Sequence, residues 1–152
     1  MHLAQLNIAV PKYGLDDPRM ADFVDNLVRI NSLGASMPGF VWMLTDESGH
    51  ASSIPTPWPD AIANMTVWET PEHLETFVWN TVHKRFYNRR QEWFSAMKSH
   101  HLVMWWVEEG HKPDLAEAKE RLDHLDRHGD SDYAFGWSHL PHIKLWQSQR
   151  CG

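Results

Sequence analysis

The side chains best suited to chemistry cluster between Trp79 and Arg90. His83 has Trp79 four residues before it, Phe86 three after, Tyr87 four after and Arg90 seven after. At about 100° per residue on one helix, these positions share a side. The imidazole would then stand in an aromatic groove with a guanidinium two turns along. A neutral imidazole can ligate iron, and an arginine pairs with a carboxylate such as a porphyrin propionate. His83 and Tyr87 are equally acid–base candidates. The plainer alternative is a helix histidine bonded to a carbonyl or to Glu69, with Trp79 and Phe86 as ordinary core.

Other groupings carry weaker signals. Trp42, Met43, Met65, Trp68, Met104, Trp105 and Trp106 fall on expected strands and could line an apolar cavity for a flat ligand, or simply fill a core. Lys84, Arg85, Arg89 and Arg90 make a basic run in which two arginines one turn apart could grip a carboxylate or phosphate. A solvated face paired with Glu92 explains the same run. His124 and His128 are four apart, a spacing that can place two imidazoles on one metal, but no third ligand accompanies them. The pairs His100–His101 and His139–His142 say less. A serine nucleophile elbow, a phosphate-binding glycine loop and a dinucleotide fingerprint are all absent. Cys151 is the penultimate residue and a poor nucleophile candidate.

The elements that must position these residues can be read from periodicity. Residues 3–10 alternate and stop at Pro11, which predicts a strand. Apolar positions recur at three and four between Arg19 and Leu33, which predicts an amphipathic helix ended by Gly34. Residues 40–44 and 62–69 read as strands around a loop rich in proline and serine. That loop, Thr45 to Asp60, is long enough to suggest a flap at a pocket mouth, with Trp58 as its contact residue. Thr70-Pro71-Glu72 is a helix start, and the helix it opens is expected to run unbroken over 71–97. Residues 101–108 are too apolar for a strand with one wet face, so a partner chain is expected to cover the second face. Residues 114–128 form a last amphipathic helix. The order β-α-β-β-α-β plus a helix is an α+β, ferredoxin-like pattern, with the domain over 1–137 and a tail over 138–152.

Composition supports one globular domain. Hydrophobic residues are 42% and charged residues 22%, with nine Trp, seven Met and eleven His. A net charge of −6 argues against a nucleic-acid partner, and a single cysteine excludes an internal disulfide. No apolar run is long enough to span a membrane, and the first residues lack a signal-peptide pattern, so a cytoplasmic location is expected.

The residues His83, Arg90-Gln91-Glu92-Trp93-Phe94, Leu102-Val103-Met104-Trp105-Trp106-Val107, Gly110, Pro113, Glu117-Ala118 and Arg121-Leu122 resemble a bacterial family of unknown function in the dimeric α/β-barrel superfamily. The opening Leu3-Ala4-Gln5-Leu6-Asn7 and the strand end Val67-Trp68-Glu69 resemble it too, so the likeness covers most of 1–137. Two features depart from it: Asp130-Ser131-Asp132 where a proline-rich turn is usual, and the longer loop 52–59. The resemblance implies a homodimer whose sheets face each other, with a pocket between each sheet and its helices. Superfamily members include heme-dependent and cofactor-free enzymes. The leading expectation is therefore a heme enzyme of oxidoreductase or lyase type, acting on a small apolar or aromatic molecule. In it His83 is the axial ligand, Trp79, Phe86, Trp68 and Trp106 flank the ring, Arg90 meets a propionate, and Tyr87 assists. The alternatives are a cofactor-free monooxygenase or isomerase, with His83 or Tyr87 as acid or base, and a non-catalytic small-molecule-binding dimer.

Overall fold

The computed structural model describes residues 1–45, 54–81, 83–97 and 100–143. Four strands form the main sheet: β1 (His2–Pro11), β2 (Phe40–Met43), β3 (Ile62–Trp68) and, labelled β5, Leu102–Val107. A two-residue strand, β4 (Phe94–Ser95), pairs with the far end of β1. Between β1 and β2 lies α1 (Ala21–Ser36), and α5 (Leu115–His128) follows β5. The order β2-β3-β1-β5, antiparallel throughout, is the ferredoxin-like arrangement that the pattern of elements predicts.

Alternation decides which residue faces which layer. Leu3, Trp68 and Met104 point to the layer holding α1 and the helix after β3, where Leu74 and Phe77 meet them. Ala4, Leu6, Ile8, Met65, Val67, Val103 and Trp105 point the other way, onto Ala118, Leu122 and Leu125 of α5. The sheet is thus buried on both faces by its own chain. The expected need for a partner over β5 rested on one face lying bare, and α5 removes that premise. Trp105 is tied to its cover by an indole N–H donated to Glu117 at 2.8 Å. The outer edge of β5 is also occupied, because Phe135 exchanges two backbone hydrogen bonds with Met104. Leu140 and Ile143 are buried in the same core, so the packed chain continues past residue 137.

Two local expectations fail for physical reasons. Gly34 lies inside α1 rather than after it, because the Phe77 ring packs where its side chain would be. The helix over 71–97 is broken into α2 (Pro71–Asn80), α3 (His83–Asn88) and α4 (Arg90–Trp93). Thr81 makes the first break. Its backbone is extended, its hydroxyl donates to Phe77 O, and the same oxygen accepts from the His83 N–H, so it caps the helix that follows. After Trp93 the chain turns into β4 to pair with β1. Apolar periodicity continues across the break and hides it. The caps at Thr70 and Asp114 form as the residue types predict, accepting from the His73 and Glu117 N–H groups.

Leu122 is 2% exposed between α5 and the sheet. Leu122→Ala is expected to lower unfolding stability by about 2–5 kcal/mol in urea denaturation, because the cavity it leaves cannot collapse against a sheet. Lys119→Ala, which removes only an exposed ion pair to Asp123, should change it by less than about 0.5 kcal/mol.

Candidate functional site

His83 opens α3 directly after the capping Thr81. Its ring is tilted against Phe77 at 5.0 Å between centroids, and Phe77 stacks on the fully buried Trp68 at 5.5 Å. Trp68 in turn donates its indole N–H to Thr66, which also accepts from Gln5. The imidazole therefore rests on an aromatic stack whose far end is fixed in the sheet by buried hydrogen bonds. Nδ1 of His83 lies 3.3 Å from Val78 O. A carbonyl only accepts, so Nδ1 carries the proton and Nε2 is the basic nitrogen of the neutral ring. Burial pushes the His83 pKa down, only partly offset by the Val78 hydrogen bond. The carbonyl partner is the one foreseen in the plainer sequence reading.

The break at Thr81 scatters the rest of the expected groove. Trp79, at the end of α2, packs edge-on to Tyr87 at 4.9 Å and near Trp137 at 6.2 Å. Its indole N–H is buried without a hydrogen-bond partner among the described residues. Arg90 turns onto the Tyr87 ring at 4.1 Å and donates to Tyr87 O at 2.9 Å. Phe86 points to a different layer and stacks on Trp93 at 5.9 Å. Trp106 packs on Phe135 at the β5 edge. Tyr87, Trp79 and Arg90 thus form one group, His83, Phe77 and Trp68 a second, and Phe86 belongs to a third.

That arrangement does not fit a heme. A clamp on the porphyrin needs His83, Trp79, Phe86 and Arg90 on one wall, and they face three directions. Trp68 is wholly buried, and Arg90 is committed to Tyr87. Two surface cavities among the described residues, of about 330 and 280 Å3, are lined by the His124–Tyr133 group and by Phe86 with three arginines. The donor set expected from helical spacing is a set only if the helix is continuous.

The remaining sequence candidates resolve mostly into structure. Met65, Trp68, Met104 and Trp105 are fully buried and divided between the two faces, so they fill cores rather than line one cavity. A register shift between Phe40 and Trp42 sends these two aromatics to opposite faces. Trp58 packs against the α5 face, opposite the layer that holds His83, and Thr56 braces it by hydrogen bonds. It cannot serve as a flap over His83. Residues 46–53 of that loop lie outside the described residues, as does Cys151. His124 and His128 have ring centroids 4.5 Å apart beside Tyr133, but no group of three or more metal-ligating side chains forms among the described residues. His100 pairs with Asp126, His139 with Asp132 and His142 with Glu72.

Several contributors escape a sequence reading. Phe77 and the Val78 carbonyl orient His83, yet an aromatic and a backbone oxygen before a threonine carry no pattern of their own. Arg29 joins Arg85, Phe86 and Arg89 around the smaller cavity from a helix more than fifty residues earlier. Glu117 holds both Trp105 and His111, the latter at 2.6 Å.

No helix among the described residues is long and apolar enough to cross a membrane. No curated protein matches the chain. Among solved structures, a putative antibiotic biosynthesis monooxygenase from Chloroflexus aurantiacus J-10-fl is similar at 22% identity and a TM-score of 0.43, over 74% of this chain and 98% of that one. Residues 2–151 match a family model described as a domain of unknown function, DUF3291. With nearly its whole length matched, the chain belongs to the DUF3291 family.

Proposed function

We propose that this protein is a small-molecule enzyme that works without a bound cofactor, of the monooxygenase or isomerase kind, and that His83 is its general base. The observation that carries the reading is the state of the imidazole. Its Nδ1–H is held by Val78 O, burial keeps the ring neutral, and Nε2 thereby holds an unprotonated lone pair able to accept a proton at neutral pH. A flat, apolar substrate with an acidic C–H or O–H suits an imidazole in these apolar surroundings, with the buried Phe77 and Trp68 backing the ring rather than meeting the substrate. Nε2 would accept the substrate proton. The carbanion or phenolate left behind would either take a proton back at a second position or react at carbon with dioxygen, the O–O bond breaking so that one oxygen becomes a carbonyl of the product and the other leaves as water.

The test is a screen of apolar aromatic phenols and ketones with wild-type protein and His83→Gln, whose amide can still donate to Val78 O. The glutamine variant is expected to lose about a hundredfold or more in kcat/KM. Turnover equal to wild type would refute the role. An oxygen electrode then divides the two chemistries: uptake matched to product marks a monooxygenase, and none marks an isomerase.

The same imidazole has a consequence for stability. Its folded-state pKa lies below the ordinary 6.5, so the unfolded chain binds more protons in the window beneath that value. The contribution is fully present above 6.5 and is lost as the pH falls through the window. The urea midpoint of wild type should therefore drop more steeply from about pH 6.5 to about pH 5 than that of His83→Gln. His101, also held low by desolvation and by Arg90 and His100, is common to both proteins and cancels in the comparison.

A further inference from the structure

Three arginines converge on one cleft whose lining does not include His83. Arg29 on α1, Arg85 on α3 and Arg89 just after it surround a cavity of about 280 Å3 floored by Phe86. The floor is rigid: Phe86 stacks on the buried Trp93, which Phe23 of α1 also contacts at 5.6 Å. Arg89 is held in place by Glu92 at 2.8 Å and Asp22 at 3.0 Å, with its guanidinium 4.7 Å over the Trp93 ring. Those hydrogen bonds and charges raise its pKa further. The two carboxylates at the cleft are therefore committed to Arg89. Among the described residues neither Arg29 nor Arg85 has an ion pair. Arg29 and Arg85 thus line one cavity with no carboxylate of their own, in a chain of net charge −6.

We propose that this cleft binds a small organic anion, a flat apolar group bearing a carboxylate or a phosphate ester. Arg29 and Arg85 bracket the charged end, whose planar oxygens suit the guanidinium fork, and Phe86 meets the apolar end. The volume lies at the lower edge of small-molecule sites, enough for one ring and its anionic group. The proposal does not rest on the general-base reading, since none of the cleft residues touches His83.

Isothermal titration with benzoate, phenyl phosphate, inorganic phosphate and benzyl alcohol tests it on the full chain. Benzoate and phenyl phosphate are expected to bind, more weakly as salt is raised, and the tighter of the two identifies the headgroup. Arg29→Gln and Arg85→Gln should each weaken binding about tenfold, with Arg85→Lys intermediate. Benzyl alcohol should not bind, and inorganic phosphate should bind less tightly than phenyl phosphate. Circular dichroism confirms that the variants, all at exposed positions, stay folded. The proposal is overturned if neither organic anion binds, if the Arg29→Gln/Arg85→Gln double variant binds them as wild type does, or if benzyl alcohol binds as well as benzoate. Inorganic phosphate matching phenyl phosphate would overturn the part given to Phe86.

Discussion

Burial of the sheet on both faces by a single chain governs the rest of this structure. Each strand must send one set of side chains to α1 and α2 and the alternate set to α5. Leu102–Val107, covered on both faces, is accordingly apolar throughout. The bulk of Trp and Met serves this purpose. Trp68 and Trp105 fill opposite layers, and each indole N–H finds a partner, Thr66 for one and Glu117 for the other. A tryptophan whose N–H is paired can be buried without a desolvation penalty, so the polar residues of this core are accessories to its aromatic ones.

The same constraint shapes the path after β3. A straight helix over 71–97 would run off the end of the sheet, whereas the chain must return to β1 and then enter β5. Three short helices and a two-residue strand achieve the return. Thr81 makes the first turn possible by serving two roles at once, bonding back to Phe77 O and capping the helix ahead. The site at His83 is a by-product of that break. Val78 lies in the last turn of α2, where helix carbonyls lack the usual backbone partner, and its carbonyl accepts from the imidazole. Tautomer, orientation and lowered basicity of His83 all descend from one interrupted helix.

Charge is distributed with a similar economy. Several of the histidines and arginines sit beside carboxylates, and some of those carboxylates belong to distant parts of the chain. Arg89 reaches across to Asp22 and so links α1 to the end of α3. Exposed pairs of this kind add little stability individually. Their effect is positional, and in the arginine cleft two guanidiniums lining one cavity have no such partner among the described residues.

Periodicity and cap chemistry act over a few residues, so the order of elements, the ferredoxin-like class, the cap at Thr70 and the two-sided burial of β5 were legible in the sequence. It also pointed to His83 and to the arginine run. It could not determine what those residues face. A helical wheel assumes a continuous helix, and Trp79, Phe86, Tyr87 and Arg90 disperse once Thr81 ends it, since a threonine that bonds backward looks the same in sequence as one inside a helix. Nor could it decide that α5 packs on the second face of the sheet, or that Arg29 and Arg85 line one cavity. Those outcomes depend on packing between segments far apart in the chain, and only the tertiary structure brings such segments to one place.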